Sequence, residues 1–260
     1  AIFHHNDIHS HLRPAKTDPF GLGGLARMST LLKDLRKKNS RSLTLDAGDF
    51  SEGTWYFSVD AGANMLRIMS EMGYDAVALG NHDFLAGPDS ILKEITDARP
   101  TFPVLAANLD MDSYSKAAEL KQVLPPTLVK TVGGVKIGII GLTTFGLVYD
   151  SYMAPVRITN AFDAASEQAR QLKGKVDLLL IVSHNDFDFN TMIARGVPGV
   201  HAVISGHSHR KLPKVTVVKN AGRDVPIVET GEWGKFLGEL KLTANVKTRQ
   251  ILIKSYQLHP

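Results

Sequence analysis

The sequence predicts an α/β fold in one domain. Apolar runs of four to eight residues alternate with helical stripes up to about residue 206. From Lys214 onward the pattern is strand after strand, and no linker or internal repeat breaks the 260 residues.

The elements follow in order. Ala1-Ile-Phe3 is a short strand. Leu25, Met28, Leu31, Leu32 and Leu35 recur at helical spacing between Gly24 and Asn39. "SLTLDAGD" (42–49) is a strand meeting a tight turn. Ala61, Met65, Ile68, Met69 and Met72 form the stripe of one helix, Asp60 to Met72. "DAVALGNHD" (75–83) is a second strand and turn, Ser90 to Ala98 is helical, and "FPVLAANL" (102–109) is a third strand. "TLVKTVGGVKIGIIGL" (127–142) reads as a hairpin about Gly133-Gly134. Ala161 to Leu172 is helical, and "DLLLIVSHND" (177–186) is a buried strand. A further strand, His201 to Ile204, leads to Gly206. "KVTVV", "VPIVETG", "KFLGELKLT" and "QILIKSYQL" complete the chain.

Composition narrows the function. Hydrophobic residues at 43% and charged residues at 22% are ordinary for a globular protein. The longest apolar runs, such as Val176 to Val182 (interrupted by Asp177), are far too short for a membrane span. The absence of Cys excludes disulfides, thiolate metal sites and Cys nucleophiles. The net charge of +4 mildly favours phosphorylated substrates. The densest basic run, Lys33 to Arg41, closes a helix where cations suit the dipole, so no nucleic-acid polymer is expected. The chain starts at Ala1 and enters a strand almost at once, which fits a processed precursor. A periplasmic or secreted setting is expected, with a cytoplasmic one as the alternative. Nothing in the sequence addresses the oligomeric state.

What stands just beyond each core strand carries the chemistry. The turns hold Asp7 and His9 in "HNDIHSH", Asp49 in "DAGDF", Asn81 and His82 in "GNHD", His184 in "VSHND", and His207 and His209 in "GHSH". Open α/β sheets bind ligands beyond the carboxyl ends of their strands. Five of the ten histidines lie in these turns. Asp-x-His and His-x-His in extended backbone would aim both side chains to one face. Oxygen and imidazole donors without sulfur suit Mn, Zn, Fe or Co, and Asp49 on a sharp turn suits bridging. Two ions about 3.5–4 Å apart can generate hydroxide and stabilise a phosphoryl displacement. The glycines at 48, 80 and 206 permit unusual backbone angles and close approach.

D-x-H, G-D, G-N-H-[DE], S-H and G-H-x-H in this order resemble the calcineurin-like metallophosphoesterases. "NDIHSH", "GGLARMSTLLKDLR", "MGYDAVALGNHDF", "LAANL", "IGIIGLTT" and "ETGEWGKFLGELKL" are similar to the catalytic domain of bacterial 5'-nucleotidases and UDP-sugar hydrolases, from Asn6 to about Leu242. The resemblance implies a four-layer α/β/β/α sandwich with two divalent metal ions. Asp7, His9, Asp49 and His209 would hold one ion; Asp49, Asn81, His184 and His207 would hold the other. Metal-activated hydroxide would attack phosphorus while His82 assists the leaving group. Asn108 falls where the branch has an asparagine near the substrate. The expected substrate is a nucleotide, a cyclic nucleotide or another small phosphate ester.

Two departures stand out. The branch commonly reads G-N-H-E-F-D, the last Asp orienting the histidine; here Leu85 stands in its place and Asp83 replaces the Glu. Glu52, three residues after Asp49, is the favoured substitute partner for His82, with Asp83 as the alternative. The chain also ends where nucleotidases of this branch begin a base-stacking domain, so that domain is expected to be absent. Trp55 and Tyr56 are candidates for stacking on a substrate ring, and Arg210 for contacting phosphate. His4, His5 and His11 read as bystanders, His5 with a place beside the site, and Asp46 as a turn residue. Against hydrolysis of phosphate esters stand a binding protein that has lost catalysis and a thiosulfate-ester hydrolase on a similar site; intact His82 and the full ligand set favour the enzyme.

Overall fold

The computed structural model describes residues 1–14, 19–248 and 250–260. The first half of the chain runs β1 (Ile2–His5), α1 (Leu25–Lys38), β2 (Leu43–Asp46), α2 (Phe57–Asp60), α3 (Ala63–Met72), β3 (Ala76–Ala78), a 3-10 turn (His82–Phe84), α4 (Pro88–Ala98), β4 (Val104–Leu105), β5 (Leu109–Asp110) and α5 (Ala117–Val123). The second half runs β6 (Thr127–Val132), β7 (Val135–Leu142), α6 (Leu147–Met153), β8 (Arg157–Ile158), α7 (Ala161–Leu172), β9 (Leu178–Ser183), α8 (Phe187–Gly196), β10 (Ala202–Ser205), β11 (Thr216–Asn220), β12 (Arg223–Val228), β13 (Leu237–Asn245) and β14 (Gln250–His259).

Two six-stranded sheets result, ordered β14-β13-β1-β2-β3-β4 and β11-β12-β10-β9-β7-β6. Alternation within single strands sets the layers. In β9, Leu178, Leu180 and Val182 point between the sheets, where they meet Leu43, Leu45 and Ala76 of the other sheet. Leu179 and Ile181 point outward and pack with Leu172 of α7 and Ile193 of α8. On the far side Phe3 and Val77 pack with Leu32 of α1, Met69 of α3 and Ile91 of α4. The order is helix, sheet, sheet, helix, the expected four-layer sandwich. Strands buried on both faces read as unbroken apolar runs.

Some elements differ from expectation. The helix expected over Asp60 to Met72 begins only at Ala63, after the short α2, because Ala61 and Gly62 both take left-handed backbone angles. Gly62 is needed there: a Cβ would lie 2.5 Å from both Glu94 and Ser51. The strand expected over 102–109 is only β4 and β5, because the chain between them turns toward Thr143. Helices α5, α6 and α8 fall in segments that carry no clear apolar stripe. α7 matches its expected bounds, and Asn160 explains its start, accepting from the N–H groups of Phe162 and Asp163. No helix among the described residues is long and apolar enough to cross a membrane.

Candidate metal centre and active site

Parallel pairing brings the carboxyl ends of β1, β2 and β3, and of β9 and β10, to one rim. Asp7 N–H donates to Gly48 O at 2.9 Å and His9 N–H to Asp49 O at 2.9 Å, so the first two turns are tied side by side. Asp7, His9, Asp49, His207 and His209 all have φ between 49° and 77°. The Asp-x-His and His-x-His pairs therefore converge through strained left-handed turns, not through the extended backbone expected. Such strain persists only where surrounding contacts hold it.

The side chains form two adjoining groups, Asp7/His9/His209 and Asp49/His184/His207, and His9 is shared with a third, His9/Glu52/His82, each with its candidate ligand atoms within 4.8 Å of one another. Asp7 Oδ1 lies 3.1 Å from His209 Nε2 and 3.8 Å from both His9 and His184 Nε2. Asp49 Oδ2 lies 3.0 Å from His184 Nε2 and 3.6 Å from His9 Nε2. Asp7 thus reaches both groups as Asp49 does, although the sequence pointed to Asp49 alone for bridging. Asn81 is buried beside them, its Oδ1 accepting from Thr144 Oγ1 at 3.3 Å.

The donor set fits divalent cations. His9 Nδ1 donates to Glu52 O at 2.8 Å, His184 Nδ1 to Ala47 O at 2.6 Å, and His209 Nδ1 to Glu232 Oε2 at 2.6 Å. Each of these histidines therefore turns its Nε2 lone pair toward the carboxylates, an unfavourable opposition unless positive charge sits between. Asp7 Oδ1 and His184 Nε2 are buried and satisfied by no hydrogen bond. Protons answer the same demand. Burial opposes charge on His184, yet Asp49 and Asp7 push its pKa up to about 10. The Asp7 carboxylate and then Glu232 push His209 up to about 9. Burial disfavours the Asp49 charge, but His184, His9 and His82 hold its carboxyl well below the usual range.

His82 stands at the edge of this cluster, its ring centroid 4.9 Å from that of His9. Its Nδ1 meets Glu52 Oε2 at 2.5 Å. Asp83 turns away from it and accepts from the N–H groups of Asp49 (3.0 Å), Gly80 (2.8 Å) and Ser51 (2.9 Å) and from Ser51 Oγ (2.9 Å). Burial first, and Asp49 second, push the Asp83 carboxyl up to about 7. Of the three glycines singled out, only Gly48 has a left-handed φ; Gly80 serves close approach, since a Cβ would sit 2.1 Å from Asp49 N.

The calcineurin-like phosphoesterase family profile matches residues 1–211. The chain belongs to the calcineurin-like phosphoesterases. Members of this family use divalent metals, in keeping with the donor groups at the rim. The chain is similar to the 5'-nucleotidase of Bos taurus, with 31% identity over 273 residues that cover 95% of this chain and 46% of that protein. Among solved structures it resembles the 5'-nucleotidase precursor of Thermus thermophilus, with a TM-score of 0.86, 33% identity and coverage of 99% of this chain and 53% of that one. The NAD nucleotidase of Haemophilus influenzae gives a TM-score of 0.89 at 29% identity, covering 99% and 55%. This phosphoesterase chain thus spans about half the length of these relatives.

The remaining expected residues fall at varied distances from the centre. Trp55 and Tyr56 stack on each other, centroids 4.1 Å apart, with Trp55 69% exposed. Their loop packs against the turn that carries Asp7 and His9: a Cβ at Gly53 would lie 2.5 Å from His9 Cβ, and Thr54 Oγ1 donates to Ser10 O. Arg210 lays its guanidinium over the Phe187 ring, 3.9 Å from Asp188, at the start of α8. Asn108 departs from expectation: it is fully buried, with Nδ2 donating to Thr143 O and Thr159 O and Oδ1 accepting from Thr143 N. With both ends so used, it is not presented to the cleft in this structure. His5 is buried between Asp46 (2.7 Å) and the Tyr74 hydroxyl, behind the turns. His11 stacks on Trp233.

Several residues at the site escaped the sequence reading. Asn6 donates to Asp7 Oδ2 (2.5 Å) and Gly231 O (2.6 Å) and accepts from Thr230. Glu229 and Glu232 support the His207–His209 turn. Their signal was the pair of acids in "ETGEWGKF", a motif noted for its resemblance alone.

Proposed function

We propose that the chain hydrolyses small phosphate esters, nucleotides first among them, at a pair of divalent ions. Asp7, His9, Asp49 and His209 would hold one ion and Asp49, Asn81, His184 and His207 the other. The observation that carries this reading is the pairing of His82 with Glu52 at 2.5 Å beside two adjoining ligand groups. The ions would polarise the phosphoryl oxygens and activate the attacking water. His82 delivers a proton from Nε2 to the departing ester oxygen, and Glu52 fixes the ring by holding Nδ1–H. A positioned general acid contributes about 10²–10⁴-fold. Asp83 serves the fold of the site, binding the Asp49 turn to the Gly80 turn. Trp55 and Tyr56 offer a ring face to a nucleobase.

Relatives that are 5'-nucleotidases and an NAD nucleotidase support a nucleotide substrate. The Thermus relative is a precursor, which supports a periplasmic or secreted setting. The test is metal analysis of the purified protein with p-nitrophenyl phosphate, bis-p-nitrophenyl phosphate, AMP, 2',3'-cyclic AMP and a thiosulfate ester as substrates. Turnover of AMP or cyclic AMP by the Mn- or Zn-loaded protein is expected. Turnover of the thiosulfate ester alone would overturn the reading, as would a silent loaded protein.

A further inference from the structure

Glu229 is the first residue past β12, and its side chain is fully buried. Its carboxylate is held by neutral donors. Ser208 Oγ donates to Oε1 at 2.6 Å, Arg210 N–H to Oε1 at 2.8 Å, and Ser205 Oγ to Oε2 at 2.8 Å. One carboxylate therefore grips residues on both sides of His209 and the residue at the end of β10. Burying a carboxylate is costly, and it persists where several donors converge on it.

The chain of contacts continues. Ser205 Oγ accepts from Asn190 Nδ2 at 2.9 Å, and the same amide donates to Asn185 O at 2.6 Å. Asn185 Nδ2 in turn donates to Ser183 Oγ at 3.1 Å and Thr143 O at 3.2 Å. Ser183 and Asn185 flank His184. A hydrogen-bonded path thus runs from Glu229 to both histidine-bearing turns of the second sheet, one of which holds His207 and His209 at left-handed φ angles.

We propose that Glu229 is a positioning residue that sets His207 and His209 directly, and His184 through Ser205 and Asn190, for metal binding. This rests on reading those histidines as ligands. Glu229 touches neither substrate nor ion; it fixes backbone angles that the turn would otherwise relax.

The test is cobalt(II) titration of the metal-free protein, followed by visible absorption and equilibrium dialysis. Glu229→Leu removes every acceptor and is expected to weaken cobalt binding about 10- to 100-fold and alter the absorption envelope. Glu229→Gln keeps a carbonyl oxygen for Ser208 and Arg210 and should stay within about threefold of wild type. Ser208→Ala, which spares the buried carboxylate, should weaken binding in the same direction by a smaller factor, and it decides the matter if Glu229→Leu fails to fold. His207→Ala is the control. If His207→Ala binds cobalt as wild type does, the ligand reading fails. If His207→Ala weakens binding while Ser208→Ala and any folded Glu229→Leu match wild type, the positioning proposal is overturned. A Glu229→Leu protein with lower melting temperature but unchanged cobalt affinity and spectrum would likewise overturn it.

Discussion

Glu52→Gln tests the assignment of the His82 partner. In the native pair the carboxylate accepts from Nδ1 at 2.5 Å, with the His82 and Glu52 side chains 38% and 35% exposed. A hydrogen bond to a charged group contributes about 1.5–3 kcal/mol, against about 1 kcal/mol for a neutral one. Glutamine keeps an acceptor and loses the charge, and partial exposure screens what is lost. The loss is then about 1 kcal/mol, close to fivefold in rate. It should fall on kcat for esters with poor leaving groups, such as AMP, because these need the proton. p-Nitrophenyl phosphate, whose leaving group departs as the phenolate, should be hydrolysed at the wild-type rate. Steady-state kinetics on both substrates, with metal content measured on the same samples, provides the comparison. Equal losses on both esters, or none on AMP, would refute the assignment. So would an Asp83→Asn protein crippled on AMP with its metals in place.

Asp83→Asn should instead act on structure: an amide donor would face backbone N–H groups, at a cost of about 2–3 kcal/mol. In EDTA this should lower the melting temperature by about 5–10 °C. Asp49→Asn should lose metal from both positions, whereas His209→Ala, partly exposed and in one group only, should retain more metal after dialysis. His4 gives a pH signature. It is fully buried, and desolvation first, with His5 second, pulls its pKa down to about 3 from the ordinary 6.5. The unfolded chain therefore binds a proton below about pH 6.5 that the folded chain refuses, so stability falls as pH drops from 6.5 toward 3. Between pH 7 and 5 the loss is about 2 kcal/mol at about 1.36 per pH unit. Urea unfolding of metal-free His4→Leu should show a decline smaller by that amount; an identical decline would show that His4 does not refuse the proton.

The gathering of these Asp, Asn and His side chains at one rim was legible in the sequence because such residue types have few other uses at strand ends. The outer layers were legible where the buried side of a helix is purely apolar, as in α1, which buries Leu25, Met28, Leu32 and Leu35. Helix α8 was not, because it buries Asn190 among its apolar residues and spends that amide on Asn185 and Ser205. Asn108 could not be placed either, since its role depends on Thr143 and Thr159, far along the chain. Glu229 and Glu232 lie about 20 or more residues from the turn they support, and the parallel pairing of β12 with β10, with the Lys211–Thr230 bridge, brings them beside it. The late start of α3, after Gly62, depended on Glu94, another distant partner.

The turns that carry the proposed ligands come from both sheets: Asp7, His9 and Asp49 from one, His184, His207 and His209 from the other. Bound ions would therefore rivet together two halves that otherwise meet largely through hydrophobic packing between Leu45, Leu180, Val182 and their neighbours. If these side chains are the ligands, neither half would chelate well alone, and metal capture would be a late event, possible only once the sheets have docked in register. A worn inter-sheet layer, such as one carrying Leu180→Ala, should then leak metal although no ligand has been touched. Chelation, in turn, should loosen amide protection along β2 and β9, at the seam, before it reaches the outer helices.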